Sequence, residues 1–79
     1  MRHTVTLLTR VQCHLCDDAR AALDALATEI EFDLEVLDVD ADPDRQDRFG
    51  DRVPVVLLDG REHGYWRVET ERLRASLLR

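Results

Sequence analysis

Lysine is absent from this chain of 79 residues; all eleven basic residues are arginine. No lysine amine is therefore available for Schiff-base chemistry or as a catalytic base. Cysteine is scarce too, with only Cys13 and Cys16. They can form at most one bridge, too few for a disulfide-stapled secreted miniprotein. Three glycines, two prolines and 44% hydrophobic residues exclude a collagen-like repeat and a disordered chain. Long apolar runs are missing: the longest, Val53-Pro54-Val55-Val56-Leu57-Leu58, is far shorter than the roughly 20 residues of a membrane-spanning helix. Positive charge is in deficit. The net charge of −6 and a pI near 4.9 supply no electrostatic reason to bind nucleic acid or an anionic membrane. Met1 to Arg10 holds Arg2, His3 and Arg10 around a short Val/Leu pattern, unlike the apolar centre of a signal peptide. The expectation is a soluble, cytoplasmic monomer with one domain over residues 1–79, in a compartment where a static structural disulfide is disfavoured.

What is present reads as alternating strands and helices. Thr4-Val5-Thr6-Leu7-Leu8 predicts a first strand. Leu15, Ala19, Ala22, Leu23 and Leu26 recur at helical spacing, with Asp17, Asp18, Arg20 and Asp24 left for solvent. Phe32 to Val39 predicts a second strand, parallel to the first because a helix connects them. Asp42 and Pro43 suit the N-cap and first position of a short helix ending near Phe49-Gly50, where glycine fits a left-handed cap. A third strand over Val53 to Leu58, an Asp59-Gly60 hairpin turn and a brief return strand Arg61-Glu62-His63 follow. Leu73, Leu77 and Leu78 mark a last helix from about Glu69. The order is βαβαββα, one sheet with helices packed on it.

Chemistry concentrates in Cys13-His14-Leu15-Cys16, between the first strand and the first helix. Thiols at this spacing on a helix start can close a small ring without large backbone movement. Free N–H groups and the positive end of the helix dipole favour a thiolate there, most of all on the first cysteine. Cys13 is thus the expected attacking thiolate and Cys16 the resolving thiol. Arg10 adds positive potential upstream, whereas Asp17 and Asp18 oppose it. His14 either stabilises the thiolate when protonated or is an exposed helix residue. Three other readings stand beside redox. Half a zinc site needs two further ligands, for which His3, His14 and His63 are the only imidazoles. An iron–sulfur cluster could be bridged across a dimer, and two buried thiols can also be inert. Haem attachment is excluded, because Asp17 follows the second cysteine.

The cysteine pair after a strand, Val53-Pro54 opening a later strand, and the βαβαββα order together resemble the thioredoxin superfamily. Asp38-Val39-Asp40, Asp42-Pro43, Phe49-Gly50, Val53-Pro54-Val55 and Asp59-Gly60 are similar to small bacterial glutaredoxin-like proteins, over nearly the whole chain. The resemblance implies a four-stranded mixed sheet flanked by three helices. It also implies a cis Pro54 beside the cysteines and a Val53 backbone that offers hydrogen bonds to substrate by strand addition. Arg10 matches a basic residue common before the family's first cysteine. Arg10, His14, Val53 and Pro54 are therefore the expected substrate-binding residues.

The implied activity is thiol–disulfide exchange through a mixed disulfide, with no bound cofactor and no metal. Its expected partners are a disulfide-containing protein or low-molecular-weight thiol, and an external reductase. The departures are local. His14-Leu15 replaces the usual Pro-Tyr between the cysteines. Glutathione-binding members carry a Gly-Gly turn and then an acidic residue before the last helix. Here His63-Gly64-Tyr65-Trp66-Arg67 holds one glycine and Glu69 comes later, so the pattern for a glutathione site is incomplete. Tyr65 and Trp66 are expected to pack in the core, the other reading being a cover over substrate beside the cysteines.

Overall fold

The computed structural model describes residues 2–79; Met1, the first residue of the expected domain, lies outside them. Four strands and three helices follow in the order β1 (Thr4–Thr9), α1 (His14–Ala27), β2 (Asp33–Asp38), α2 (Pro43–Phe49), β3 (Val55–Leu58), β4 (Arg61–Tyr65) and α3 (Thr70–Leu77). A short 3-10 turn, Val39–Ala41, leads from β2 toward α2. The sheet runs β2-β1-β3-β4. β1 and β2 are parallel, and the β1–β3 and β3–β4 pairs are antiparallel. The fold is the expected thioredoxin-like α/β arrangement.

Alternation along β1 decides which helix covers which face, because successive strand side chains point to opposite sides. Val5 and Leu7 join Val56, Phe32, Ala19, Leu23 and Leu26 of α1, and Leu73 and Leu77 of α3. Leu8 instead joins Val39, Val55 and Phe49 of α2. Leu7, Leu23 and Leu73 are fully buried, each worth about 1.5–3 kcal/mol in area removed from water. One face thus holds most of the core under two helices, and α2 seals a smaller cluster on the other.

Element ends differ from the periodicity reading where side-chain pattern and backbone geometry part company. The second strand stops at Asp38, whose carboxylate accepts the Asp40 N–H and turns the chain. The third strand begins at Val55, because Pro54 precedes it with no N–H to give to the ladder. The return strand runs on to Tyr65. Its register slips between Val56 and Leu57, which pair with Gly64 and Glu62, so His63 is the unpaired residue of a bulge.

Gly50 is not the left-handed cap expected; it keeps helical angles, φ −58° and ψ −29°. Space is the reason for glycine there. A Cβ would lie 2.5 Å from the Gln46 carbonyl oxygen and 3.2 Å from Arg10 Nη2. The hairpin turn does use the left-handed region, with φ 51° at Asp59 and 86° at Gly60, as a two-residue turn of this kind requires. The Asp59 carboxylate accepts from the Thr4 N–H at 2.8 Å and contacts His3 Nδ1 at 2.5 Å, fixing the turn to β1.

Candidate functional site

Cys13 is the N-cap of α1, with extended angles φ −115° and ψ 110°. Gln12 before it has φ 59°, a left-handed kink that turns the chain from β1 into the helix. The Cys13 sulfur accepts the Cys16 N–H at 3.1 Å, so sulfur takes the place of the usual capping oxygen. Cys16 sits one turn on, with its sulfur joined to that of Cys13 and a Cα–Cα separation of 5.2 Å, within the range a disulfide spans. Exposure separates the two: Cys13 is half-buried and Cys16 is 4% exposed. One sulfur is thus partly open to solvent, and the other stands behind it. A backbone N–H and the helix dipole favour negative charge on the outer sulfur.

The remaining expected site residues cluster at the same end of the sheet, with different degrees of freedom. The β1–β3 register pairs Leu8 with Val55, so Val53 and Pro54 leave the sheet where Thr9 and Arg10 lead toward the cysteines. The Val53–Pro54 bond is cis. The Pro54 carbonyl accepts the Trp66 N–H at 2.7 Å, whereas neither Val53 N–H nor its carbonyl enters a loop hydrogen bond among the described residues.

Arg10 is committed elsewhere: its Nε and Nη2 bind the two Asp40 carboxylate oxygens at 2.9 and 3.1 Å. That forked hydrogen bond raises the Arg10 pKa and holds the Asp40 carboxyl below the usual carboxylate range. The charge expected beside Cys13 is thus largely balanced by Asp40. His14 is exposed at the first helical position and makes no side-chain hydrogen bond among the described residues. Also among them, no group of three or more His, Cys, Asp or Glu is arranged to hold a metal ion.

The expected core role of Tyr65 and Trp66 is overturned, as is that of Leu15. Tyr65 is 46%, Trp66 55% and Leu15 51% exposed. Leu15 lies on the outward side of the first turn, and β4 runs on past the sheet's core before Trp66. These side chains, with His63, Arg67 and Arg72, line a groove of about 570 Å³ between the start of α1 and the β4–α3 connection. Tyr65 and Trp66 meet edge to face, with ring centroids 5.0 Å apart. The Arg72 guanidinium donates to the His63 carbonyl. Burial of His63, together with Arg72, pushes its imidazole pKa down against the opposing pull of Glu69. Residue pattern offered Tyr65 and Trp66 as a cover beside the cysteines, but not the groove they form with Leu15, Arg67 and Arg72. Its one signal was apolar and aromatic side chains at two points far apart in sequence, which only the β4–α3 connection brings to the dithiol.

A glutaredoxin-like domain (DUF836) matches residues 4–78. The chain belongs to this glutaredoxin-like family. It is 47% identical to an uncharacterized protein of Mycobacterium tuberculosis, over 99% of this chain and 86% of that one. The solution structure of a Nitrosomonas europaea protein is similar with a TM-score of 0.87 and 26% identity, covering 98% of this chain and 93% of that one. A protein from X. campestris matches with a TM-score of 0.73 and 39% identity over 92% and 93% of the two chains. Fasciola hepatica thioredoxin shares the fold, with a TM-score of 0.67 and 23% identity over 98% and 79%. A glutaredoxin-like thioredoxin fold with its paired cysteines at the start of α1 has the general layout of a redox protein. Among the described residues, no helix is long and apolar enough to cross a membrane.

Proposed function

We propose that this chain is a thiol–disulfide oxidoreductase that reduces disulfides through Cys13 and Cys16. The observation that carries the reading is the half-buried Cys13 sulfur capping α1 in front of a buried Cys16. The reduced dithiol starts the cycle. The Cys13 thiolate attacks one sulfur of a substrate disulfide; the new bond is the Cys13 mixed disulfide, and the second substrate sulfur leaves as a thiolate that takes a proton from solvent. Deprotonated Cys16 then attacks the Cys13 sulfur and expels the first substrate sulfur as its thiolate. The substrate gains two electrons as two thiols, and Cys13 and Cys16 end as a disulfide. An external low-molecular-weight thiol or flavin-dependent reductase returns them to dithiol.

The free Val53 backbone groups suit an extended substrate segment docking beside cis Pro54. Arg10 acts at one remove, holding Asp40 and packing over Gly50. His14 borders the entering substrate from the first turn of α1. The cytoplasm, where reductants keep such dithiols poised, is the setting that fits this direction of electron flow.

The deciding experiment replaces Cys16 with serine and incubates the reduced variant with glutathione disulfide and, separately, with a protein disulfide such as insulin. A trapped adduct at Cys13, found by non-reducing mass spectrometry, is the expected result. Absence of any adduct with either oxidant would overturn the reading. A glutathione adduct formed as fast as the protein adduct would make glutathione a working partner.

A further inference from the structure

Among the described residues, three other than glycine have positive φ: Gln12 at 59°, Asp59 at 51° and Trp66 at 70°. Asp59 belongs to the hairpin turn and Gln12 to the kink into α1. Trp66 has no turn of that kind to explain it. A bulky side chain in the left-handed region is disfavoured, and glycine would occupy it freely. The cost is not offset by burial, because the indole is 55% exposed. Strained backbone that packing does not explain gathers at sites of function. The Trp66 N–H bond to the Pro54 carbonyl at 2.7 Å holds that conformation, and the edge-on Tyr65 ring braces the indole. Leu15, in the same groove wall, stands between the two cysteines. The groove therefore reaches the Cys13–Cys16 segment through Leu15, and the cysteines themselves do not line it.

We infer that Trp66 is a specificity-determining residue: with Leu15 it takes an apolar side chain next to the cysteine of a disulfide-bearing polypeptide. The inference rests on the oxidoreductase reading above. Beyond the indole the groove carries two guanidiniums, Arg67 and Arg72, against the one carboxylate of Glu69. Glu69 lies 4.0 Å from Arg67, and Arg72 enters no ion pair among the described residues. In a chain of net charge −6, this positive end favours a segment with an acidic residue following the apolar one. A thiol without an apolar neighbour, such as glutathione, leaves the indole unused.

The test uses the reduced Cys16→Ser chain and two peptides, Cys-Phe-Asp and Cys-Ser-Asp, each joined through its cysteine to thionitrobenzoate. Attack of Cys13 on the peptide sulfur releases the coloured thionitrobenzoate. The second-order rate with the phenylalanine peptide is expected to be about tenfold the rate with the serine peptide, as one well-placed apolar contact permits. Adding Trp66→Gly brings the ratio toward one, and Leu15→Ser lowers it as a second, exposed-site variant. A merely structural lesion would slow both peptides alike and leave the ratio standing.

Trp66 is the only tryptophan in the chain, so the trapped phenylalanine adduct should also shift its fluorescence more than the serine adduct does. Equal rates for the two peptides, or a ratio unmoved by Trp66→Gly, would sink the inference while leaving the oxidoreductase reading intact. Failure to release thionitrobenzoate from either peptide would instead remove both.

Discussion

Two helix starts in this molecule share one backbone solution and put it to different use. α1 is capped by Cys13, with φ −115° and ψ 110°, and α2 by Asp42, with φ −138° and ψ 117°. In each, a side-chain atom accepts an otherwise unpaired N–H: Cys13 sulfur from Cys16 at 3.1 Å, and an Asp42 carboxylate oxygen from Asp44 at 2.9 Å. The carboxylate cap is permanent, and its helix seals the smaller core cluster through Phe49. The sulfur cap belongs to a redox-capable pair, because the atom that accepts the Cys16 N–H is also joined to the Cys16 sulfur. The same N-terminal physics that stabilises α2 would, on the proposed function, favour a thiolate at Cys13.

The comparison breaks most visibly at Cys13. Cys13→Ser keeps a good capping oxygen, so the stability of the reduced protein should stay within about 1 kcal/mol by urea unfolding. Disulfide reduction should fall at least about a thousandfold, since the nucleophile is gone. Loss of stability without loss of activity would reverse the roles assigned to the two caps. Asp42→Ala is the mirror experiment. It should cost about 1 kcal/mol, or roughly 4–8 °C in Tm for a chain of this size, and leave the iodoacetamide alkylation rate of Cys13 within about twofold.

The cis-proline end adds a third, smaller contrast. Trp66→Gly relieves a left-handed tryptophan, and should leave stability within about 1 kcal/mol of the parent or raise it, because glycine's freedom in the unfolded chain offsets part of the gain. A drop well beyond that would mean the indole is structural.

Acid response separates the two regions again. Asp40 is held below its ordinary value of 3.8 by the Arg10 hydrogen bond, and Asp59 by the Thr4 N–H and then His3. Their contribution is complete above 3.8 and is lost as pH falls through the lower folded values. Asp40→Asn should flatten that acid limb in pH-dependent unfolding. His63 is lowered from 6.5, chiefly by burial. Its unfolded form binds the proton first, so a penalty sets in as pH falls through 6.5 and levels off below the folded value. His63→Gln should remove that limb and leave the Asp40 limb unchanged.

Much of this was readable in residues that report on their own neighbourhood. Apolar spacing through Ala19, Leu23 and Leu26 marked α1 and its buried face. Asp42-Pro43 marked the start of α2, and Asp59-Gly60 the hairpin, whose left-handed angles are as that pair requires. The cysteine pair marked the candidate site because its chemistry depends on one helical turn. Less legible were residues whose surroundings come from distant segments. Leu15, Tyr65 and Trp66 carry apolar signatures that a one-dimensional pattern assigns to the core, yet they stand outside it. Gly50 looked like a conformational choice and is a spatial one, because Arg10 and Gln46 crowd it. Arg10 looked like free positive charge until the 3-10 turn after β2 brought Asp40 against it.

By itself the sequence determined the order of elements, the redox-capable pair and the Asp42 cap, because each depends on interactions within a turn or two of the chain. Tertiary structure alone decided which exposed surface adjoins the dithiol, where the Arg10 charge is spent and why Trp66 stands in a left-handed backbone. Those outcomes depend on strand register, the bulge at His63 and the path from β4 to α3. They bring together groups up to some fifty positions apart, as with Leu15 and Trp66, and local propensity holds no record of such meetings.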